Sequence, residues 1–459
     1  MRPIQHTCET ASLLRVSAEE GKLEMHTAHA VGTAMRKTVV VLALASIALL
    51  SSCGRSDEPP EALEPTVTAA VTTSGLEERI RSAEQALVPF GEDQQPQWGE
   101  TRTLAESMDL HGVPGVSIAV IEDYQIEWAR GYGVLEAGGA QPVTKETLFH
   151  AGSVAKPVSA AAALTLVQRG LLNLDEDVNV KLESWQVPEN EYTVEEKVTL
   201  RRLLSHSGGL RDGFTERSSG DREPDYFAPA GQAPAVTLQQ LLDAAPGIDV
   251  DRRTEVITVP GTAYRYANAD YAILGLLVVD VARQPFAQFM QEAILDPLGL
   301  TSSTYEQPLP LDLRSRATTE HSVSGAPFVG KRHHMPMLAA GGLWTTPTDL
   351  ARFAIEIMRA YQGQSDTVLS RELAREMLTP QVDMPADALS RYYGLGIDLA
   401  GEGKELRASH TGGTFGSTCL LWVYPEMGQG VVIMTNSAAA QGVIRFEILA
   451  GLISEYGWQ

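Results

Sequence analysis

Strand-like patterning lies at both ends of this chain with a helical stretch between, and that arrangement limits the possible folds more than any other feature. Residues 113–135 read as two strands around Glu122-Asp123-Tyr124, an antiparallel hairpin. Strand patterns return only in the last third, at 393–399, 406–411, 418–424 and 430–435, and a helix over 443–455 follows them. Between the two sets, 171–300 is helix and loop, with helical spacing at 200–204, 237–244, 270–282 and 285–294. Residues 116–121 are almost continuously apolar, so that strand should be covered on both faces. These observations predict an α/β (α+β) fold: one antiparallel sheet built from both ends of the chain and covered by helices as a three-layer domain (76–172 and 300–459). An all-helical domain (173–299) is inserted into it, and the site is expected in the cleft between them. A helix is expected over 77–87, and 214–235 is a Gly-, Pro- and Asp-rich loop of a length that is usually functional.

The first 75 residues read differently. Met35-Arg36-Lys37, the apolar run 39–50 and Leu50-Ser51-Ser52-Cys53 together have the form of an export signal ending in a lipobox, with Cys53 the lipidated residue. The run is short for a membrane-spanning helix, at 1.5 Å per residue against about 30 Å of hydrocarbon. The signal begins at Met35, which is read as the true start, with 1–34 ahead of it. Residues 54–75, rich in Pro, Glu and Thr, have the composition of a solvated tether. The expectation is an exported protein of the bacterial cell envelope, lipid-anchored, at the outer membrane in a Gram-negative host. A formal net charge of -22 without a clustered basic face argues against a nucleic-acid partner. With the start at Met35, Cys8 is lost, Cys53 is acylated, and Cys419 is left without a disulfide partner and reads as a core thiol.

Three short motifs carry chemistry. Ser153-Val154-Ala155-Lys156 is the only Ser-x-x-Lys in the chain, at the start of a helix expected over 153–169. Spacing of three puts both side chains on one helix face, so the amine can take the hydroxyl proton once burial lowers its pKa. The helix N-terminus adds free N–H groups where negative charge develops. Tyr266-Ala267-Asn268, led in by Pro260-Gly261-Thr262, offers a phenol that could shuttle a proton if cationic neighbours lower its pKa, and an amide with donors and an acceptor. His410-Thr411-Gly412-Gly413 ends a strand whose glycines admit close approach of a backbone or a ligand. Each motif alone also has a bland reading: an N-cap serine, a core tyrosine, a glycine bulge beside a satisfied histidine. No His-Glu-x-x-His is present, and His333-His334 beside Lys331-Arg332 reads as a surface loop, so neither metal nor other cofactor is expected. There is no Gly-x-Ser-x-Gly elbow and no Walker or Rossmann glycine pattern.

In that order, the motifs resemble those of the serine β-lactamase and penicillin-binding-protein superfamily, in the branch of class C β-lactamases, D-alanyl-D-alanine carboxypeptidases and related esterases. Leu203-Leu204-Ser205-His206-Ser207-Gly208-Gly209-Leu210 and Ala340-Gly341-Gly342-Leu343-Trp344 are similar to stretches of the same family, and the likeness runs from about residue 98 to the C-terminus. The resemblance implies that Ser153 is acylated, with Lys156 and Tyr266 handling its proton. It also implies that the N–H groups of Ser153 and Gly413 form the oxyanion hole, and that Asn268, His410, Thr411 and Gly412 bind substrate. His410 stands where most β-lactamases have lysine, at the mouth of the site and only partly protonated near neutrality, which lowers the expectation of efficient β-lactam hydrolysis. The implied activity is hydrolysis of an ester, a D-amino-acid amide or peptide, or a β-lactam. The competing reading is a non-catalytic penicillin-binding or scaffold protein. A small-molecule or peptide substrate and the membrane, through the lipid anchor, are the expected partners; the oligomeric state is left open.

Overall fold

The computed structural model describes residues 73–91, 95–212, 228–229, 236–246, 253–386 and 388–458. The lipobox at Cys53 and most of the 214–235 loop lie outside the described residues. The helix expected over 77–87 runs Thr73–Gln85. Its first residues overlap the end of the expected tether.

In chain order the strands are β1 (Gly115–Glu122), β2 (Gln125–Gly133), β3 (Phe149–His150), β4 (Ala228–Pro229), β5 (His333–His334), β6 (Trp344–Thr345), β7 (Val382–Asp383), β8 (Tyr392–Tyr393), β9 (Asp398–Ala400), β10 (Arg407–Gly413), β11 (Thr418–Tyr424) and β12 (Gln429–Thr435). Eight of them make one antiparallel sheet in the order β2-β1-β12-β11-β10-β9-β8-β7. The strands from the two ends of the chain meet at β1 and β12, with Val116 opposite Thr435 and Ile121 opposite Gly430. The hairpin turn places Asp123 and Tyr124 at φ 50 and 58, the double left-handed geometry that matches the twist of a two-residue hairpin.

Both faces of the sheet are covered, as the apolar run in β1 requires. Ala119, Ile121, Cys419, Leu421, Val423, Val432 and Met434 enter one core with the helices Ala155–Gln168 and Pro347–Gln362. The alternate residues Val116, Ile118, Val120, Leu420, Val431 and Ile433 are equally buried on the opposite face. There the helix Val443–Tyr456 lies over β2, with Trp128 Nε1 donating to Tyr456 Oη at 2.8 Å. The helical middle of the chain shares the first core: Leu203, Leu241, Leu274 and Met290 belong to the same cluster as Val158 and Leu421.

Two local expectations are corrected. The strand expected over 393–399 is two short strands, β8 and β9, because the chain turns between them over the Ser153 helix. Gly396 has φ +88 there, and a Cβ on it would meet Ala160 Cβ at 2.6 Å. His333-His334 is not a surface loop: both residues are about 2% exposed and form β5, which pairs with β4. The reason is Glu320, fully buried, whose Oε2 accepts from the His333 backbone N–H at 2.9 Å and lies 2.8 Å from its Nδ1.

Candidate active site

Ser153 lies in a 3-10 turn (Gly152–Val154) that runs straight into the helix Ala155–Gln168. Lys156 is one turn on, within that helix, and is completely buried. Its Nζ lies 3.1 Å from Ser153 Oγ, 2.8 Å from Asn268 Oδ1 and 2.9 Å from the Ala340 carbonyl oxygen. Tyr266 and Asn268 come from the approach to, and the first residue of, the helix Asn268–Ala282. The Tyr266 hydroxyl donates to Ser153 Oγ at 2.8 Å, and Lys156 Nζ sits 4.8 Å from the centre of the Tyr266 ring. The structure thus brings Ser153, Lys156, Tyr266 and Asn268 into one hydrogen-bonded group. Ser153 and Tyr266 remain half-buried and open to a ligand.

Electrostatics divide the roles. Burial pushes the Lys156 ammonium down to about 7, against the pull of Asp212. Burial pushes the Tyr266 phenol up, and the bond to Ser153 only partly offsets this. The condition under which the tyrosine could shuttle a proton, cationic neighbours that lower its pKa, is not met: after burial, the carboxylates Asp212 and Asp398 raise it further.

β10 runs beside the nucleophile. On one side, Thr411, Gly412 and Gly413 pair with Leu420, Cys419 and Thr418 of β11. On the other, β9 pairs only as far as Ser409 opposite Asp398, which leaves the 410–413 edge unpaired by strand. Two glycines permit the contact between this edge and the Ser153 turn. A Cβ on Gly412 would meet the Ala151 carbonyl oxygen at 2.1 Å, and one on Gly152 (φ +55) would meet Gly413 O and N at 2.7 and 2.8 Å. Gly413 itself is exposed, with nothing within 4 Å of a Cβ position. Thr411 is half-buried beside it.

His410 is not at the mouth. It is 3% exposed, its Nε2 is 3.0 Å from the Tyr393 hydroxyl and its Nδ1 2.7 Å from the Thr411 carbonyl oxygen. Burial and the nearby Lys156 push its imidazole down to about 3, so it is neutral at physiological pH. Cys419 is buried with its thiol pushed up to about 12, in keeping with a core thiol.

Several residues that shape the site were not singled out from sequence. The Ala340 carbonyl on Lys156 lies in the Ala-Gly-Gly-Leu-Trp stretch, whose likeness to the family was its only signal. Arg445, buried on the terminal helix, donates to the Gly412 carbonyl at 2.9 Å and holds β10 from behind. Glu320 Oε1 accepts from Thr414 Oγ1 at 2.6 Å, and Thr414 Oγ1 in turn accepts from the N–H groups of Gly416 and Ser417, which ties down the turn after Gly413. A lone arginine in a helix and a lone glutamate in a loop carry no pattern by which sequence could find them. Among the described residues no group of histidine, cysteine or carboxylate side chains is arranged to hold a metal ion.

A mixed helical cover over an antiparallel sheet, with a Ser-Lys-Tyr group at the head of a buried helix, defines a fold of the serine β-lactamase and penicillin-binding-protein type. The family model described as Beta-lactamase matches residues 101–448, and the chain belongs to that family. It is 32% identical over 213 residues to penicillin-binding protein 4 of Amycolatopsis lactamdurans, covering 46% of this chain and 49% of that protein. It is also 28% identical over 272 residues to Protein Rv1367c of Mycobacterium tuberculosis, covering 55% of this chain and 63% of that protein, so the chain spans less than two thirds of the length of these curated relatives. Among solved structures, the octameric penicillin-binding protein homologue from Pyrococcus abyssi superposes with a TM-score of 0.62 at 24% identity, over 77% of this chain and 76% of that one. The D-amino acid amidase of Ochrobactrum anthropi SV3 superposes with a TM-score of 0.60 at 21% identity, over 77% of this chain and 97% of that one.

Proposed function

We propose that this protein is a serine hydrolase that works through a Ser153 acyl-enzyme, with neutral Lys156 as the base. One observation carries the reading. A neutral amine has two N–H donors and one lone pair, and two of the three oxygens around Lys156 Nζ, Asn268 Oδ1 and the Ala340 carbonyl, can only accept. They take both donors, so the lone pair faces the third oxygen, the Ser153 hydroxyl, which can donate. The proton moves from Oγ to Nζ as Oγ attacks the acyl carbon. The resulting oxyanion is received by the N–H groups of Ser153 and Gly413. Tyr266, kept protonated, gives its phenol proton to the departing oxygen or nitrogen and regains one from the Lys156 ammonium. Water then repeats the sequence on the acyl ester.

The charge around the site favours substrates without an obligatory carboxylate. His410 is neutral. Arg407 is engaged with Ser390 Oγ and the Leu389 carbonyl and stacks on Trp422, and Lys331 pairs with Glu136. The engagement of these three described groups supports neutral esters and amides over carboxylate-bearing β-lactams. Likeness to the amidase and the penicillin-binding proteins is consistent with acyl chemistry of this breadth. The test is hydrolysis of p-nitrophenyl butyrate, D-alanine p-nitroanilide and nitrocefin, with fluorophosphonate labelling, in wild type and Ser153→Ala. Turnover of the ester and labelling are expected, both lost in the variant, and retained turnover in Ser153→Ala would sink the assignment. We further propose that Cys53 is lipidated and anchors the protein to a membrane of the cell envelope. Cys53→Ser should move it to the soluble fraction, and unchanged membrane association would contradict this.

A further inference from the structure

We propose that His206 and Asp270 form an uncharged pair, sharing one proton, that positions Tyr266 and Asn268 and keeps a carboxylate charge away from Lys156. The proposal rests on Lys156 acting as the base. Asp270 lies on the helix Asn268–Ala282, two residues beyond Asn268, and His206 lies in the 203–210 stretch. Both are buried, at 1% and 0% exposure. His206 Nδ1 is 2.7 Å from Asp270 Oδ2, and the Ala267 backbone N–H donates to the same nitrogen at 3.3 Å.

An amide N–H can only donate, so Nδ1 presents its lone pair and carries no proton. In the uncharged pair Oδ2–H at 2.7 Å is then the principal donor to that lone pair and the Ala267 N–H at 3.3 Å the lesser one, with the ring proton on Nε2, which is buried without a hydrogen-bond partner. Burial of the pair acts in the same sense on both groups. Burial pushes Asp270 well above the usual carboxylate range, and burial together with Lys156 and His410 pushes His206 well below the usual imidazole range. The titratable groups facing the pair are Lys156, Asp212, Tyr264, Tyr266, Tyr271, Tyr393 and His410.

The positioning role follows from what the pair touches. The His206 ring centre lies 4.4 Å from that of Tyr266 and about 5 Å from those of Tyr271 (5.2 Å) and Tyr393 (5.1 Å). The backbone of the same stretch clamps the segment carrying Tyr266. The His206 carbonyl accepts from Arg265 N–H at 2.7 Å, and the Ser207 carbonyl from Gly261 N–H at 2.7 Å. His206 is held at φ 54, in the left-handed region that a side chain rarely adopts. Gly208 leaves room for the carboxyl group, since a Cβ there would meet Asp270 Oδ1 at 2.9 Å. Were Asp270 a carboxylate beside a neutral His206, its charge would hold a proton on Lys156 and delay its action as a base.

The test uses the full chain and the pH profile of kcat/KM for p-nitrophenyl butyrate. Asp270→Ala and His206→Ala should lower kcat by about tenfold or more while KM changes by less than about threefold, as expected when reacting groups are misplaced and substrate binding is left intact. Asp270→Asn, which offers an N–H to Nδ1 and no charge, should recover most of kcat and leave the midpoint of the acid limb within about 0.3 unit. A midpoint lowered by one unit or more in Asp270→Asn would show that a carboxylate acts on Lys156 and overturn the proposal, as would full kcat in His206→Ala. An infrared difference spectrum between wild type and Asp270→Asn at pH 7 reads the proton without reference to activity. A carboxylic-acid C=O band supports the neutral pair and a carboxylate band overturns it, even if the profile shows Lys156 not to be the base.

Discussion

If neutral Lys156 is the base, the activity profile follows from its burial. With the group titrating at about 7, the neutral fraction is about 0.09 at pH 6 and about 0.9 at pH 8, so kcat/KM should rise about tenfold between them and then level off. The sign is that of a base active when deprotonated: activity is lost as pH falls through the folded pKa. If Tyr266 were the base, its upward-shifted phenol would place the rising limb above pH 10. The measurement is kcat/KM for p-nitrophenyl butyrate from pH 5 to 10, because kcat/KM reports groups of the free enzyme. Asp398, which burial lifts to about 7, also titrates in this window. Asp398→Asn separates the two, since the limb must persist in that variant. Burial shifts His206 well below the usual imidazole range and His410 down to about 3. A limb with its midpoint above pH 9, or one that vanishes in Asp398→Asn, would refute the assignment of Lys156.

Two further perturbations test the architecture. Gly152→Ala puts a Cβ against the backbone of Gly413 at 2.7–2.9 Å and forces φ +55 on an alanine, a strain of about 1–2 kcal/mol before any clash; kcat should fall at least about tenfold. Gly413→Ala, whose Cβ meets nothing within 4 Å, should leave Tm unchanged, and equal loss of Tm in both would contradict the packing described. His410→Lys would place an amine in a fully buried position beside Lys156, costing about 2 kcal/mol or more of stability by urea unfolding. It should not raise the ratio of kcat/KM for nitrocefin over the neutral ester at pH 7.5, and a rise of more than about threefold would mean that the added cation reaches substrate after all.

What the sequence determined by itself was whatever depends on near neighbours. The short, continuously apolar runs of β11 and β12, the hairpin at Asp123-Tyr124 and the spacing of Ser153 and Lys156 on one helix face all follow from near neighbours, and the structure places them where the patterns put them. The glycines at 412 and 413 likewise announced a close approach, though not to which segment. Residue type also suggested which side chains could carry acyl chemistry, though not how each would be ionised. Tertiary structure decided that. Tyr266 reaches Ser153 across 113 positions of chain, and Lys156 finds the Ala340 carbonyl across 184. Burial then sets each group's charge: it lowers Lys156 into the working range, raises Tyr266 out of it and makes His410 a neutral, hydrogen-bonded core residue rather than a cation at the mouth. Glu320 drew His333 inside against the polar character of its own segment, because a buried carboxylate requires donors wherever the chain can supply them. Desolvation is a property of the assembled environment, summed over segments distant in sequence, and no local pattern encodes it.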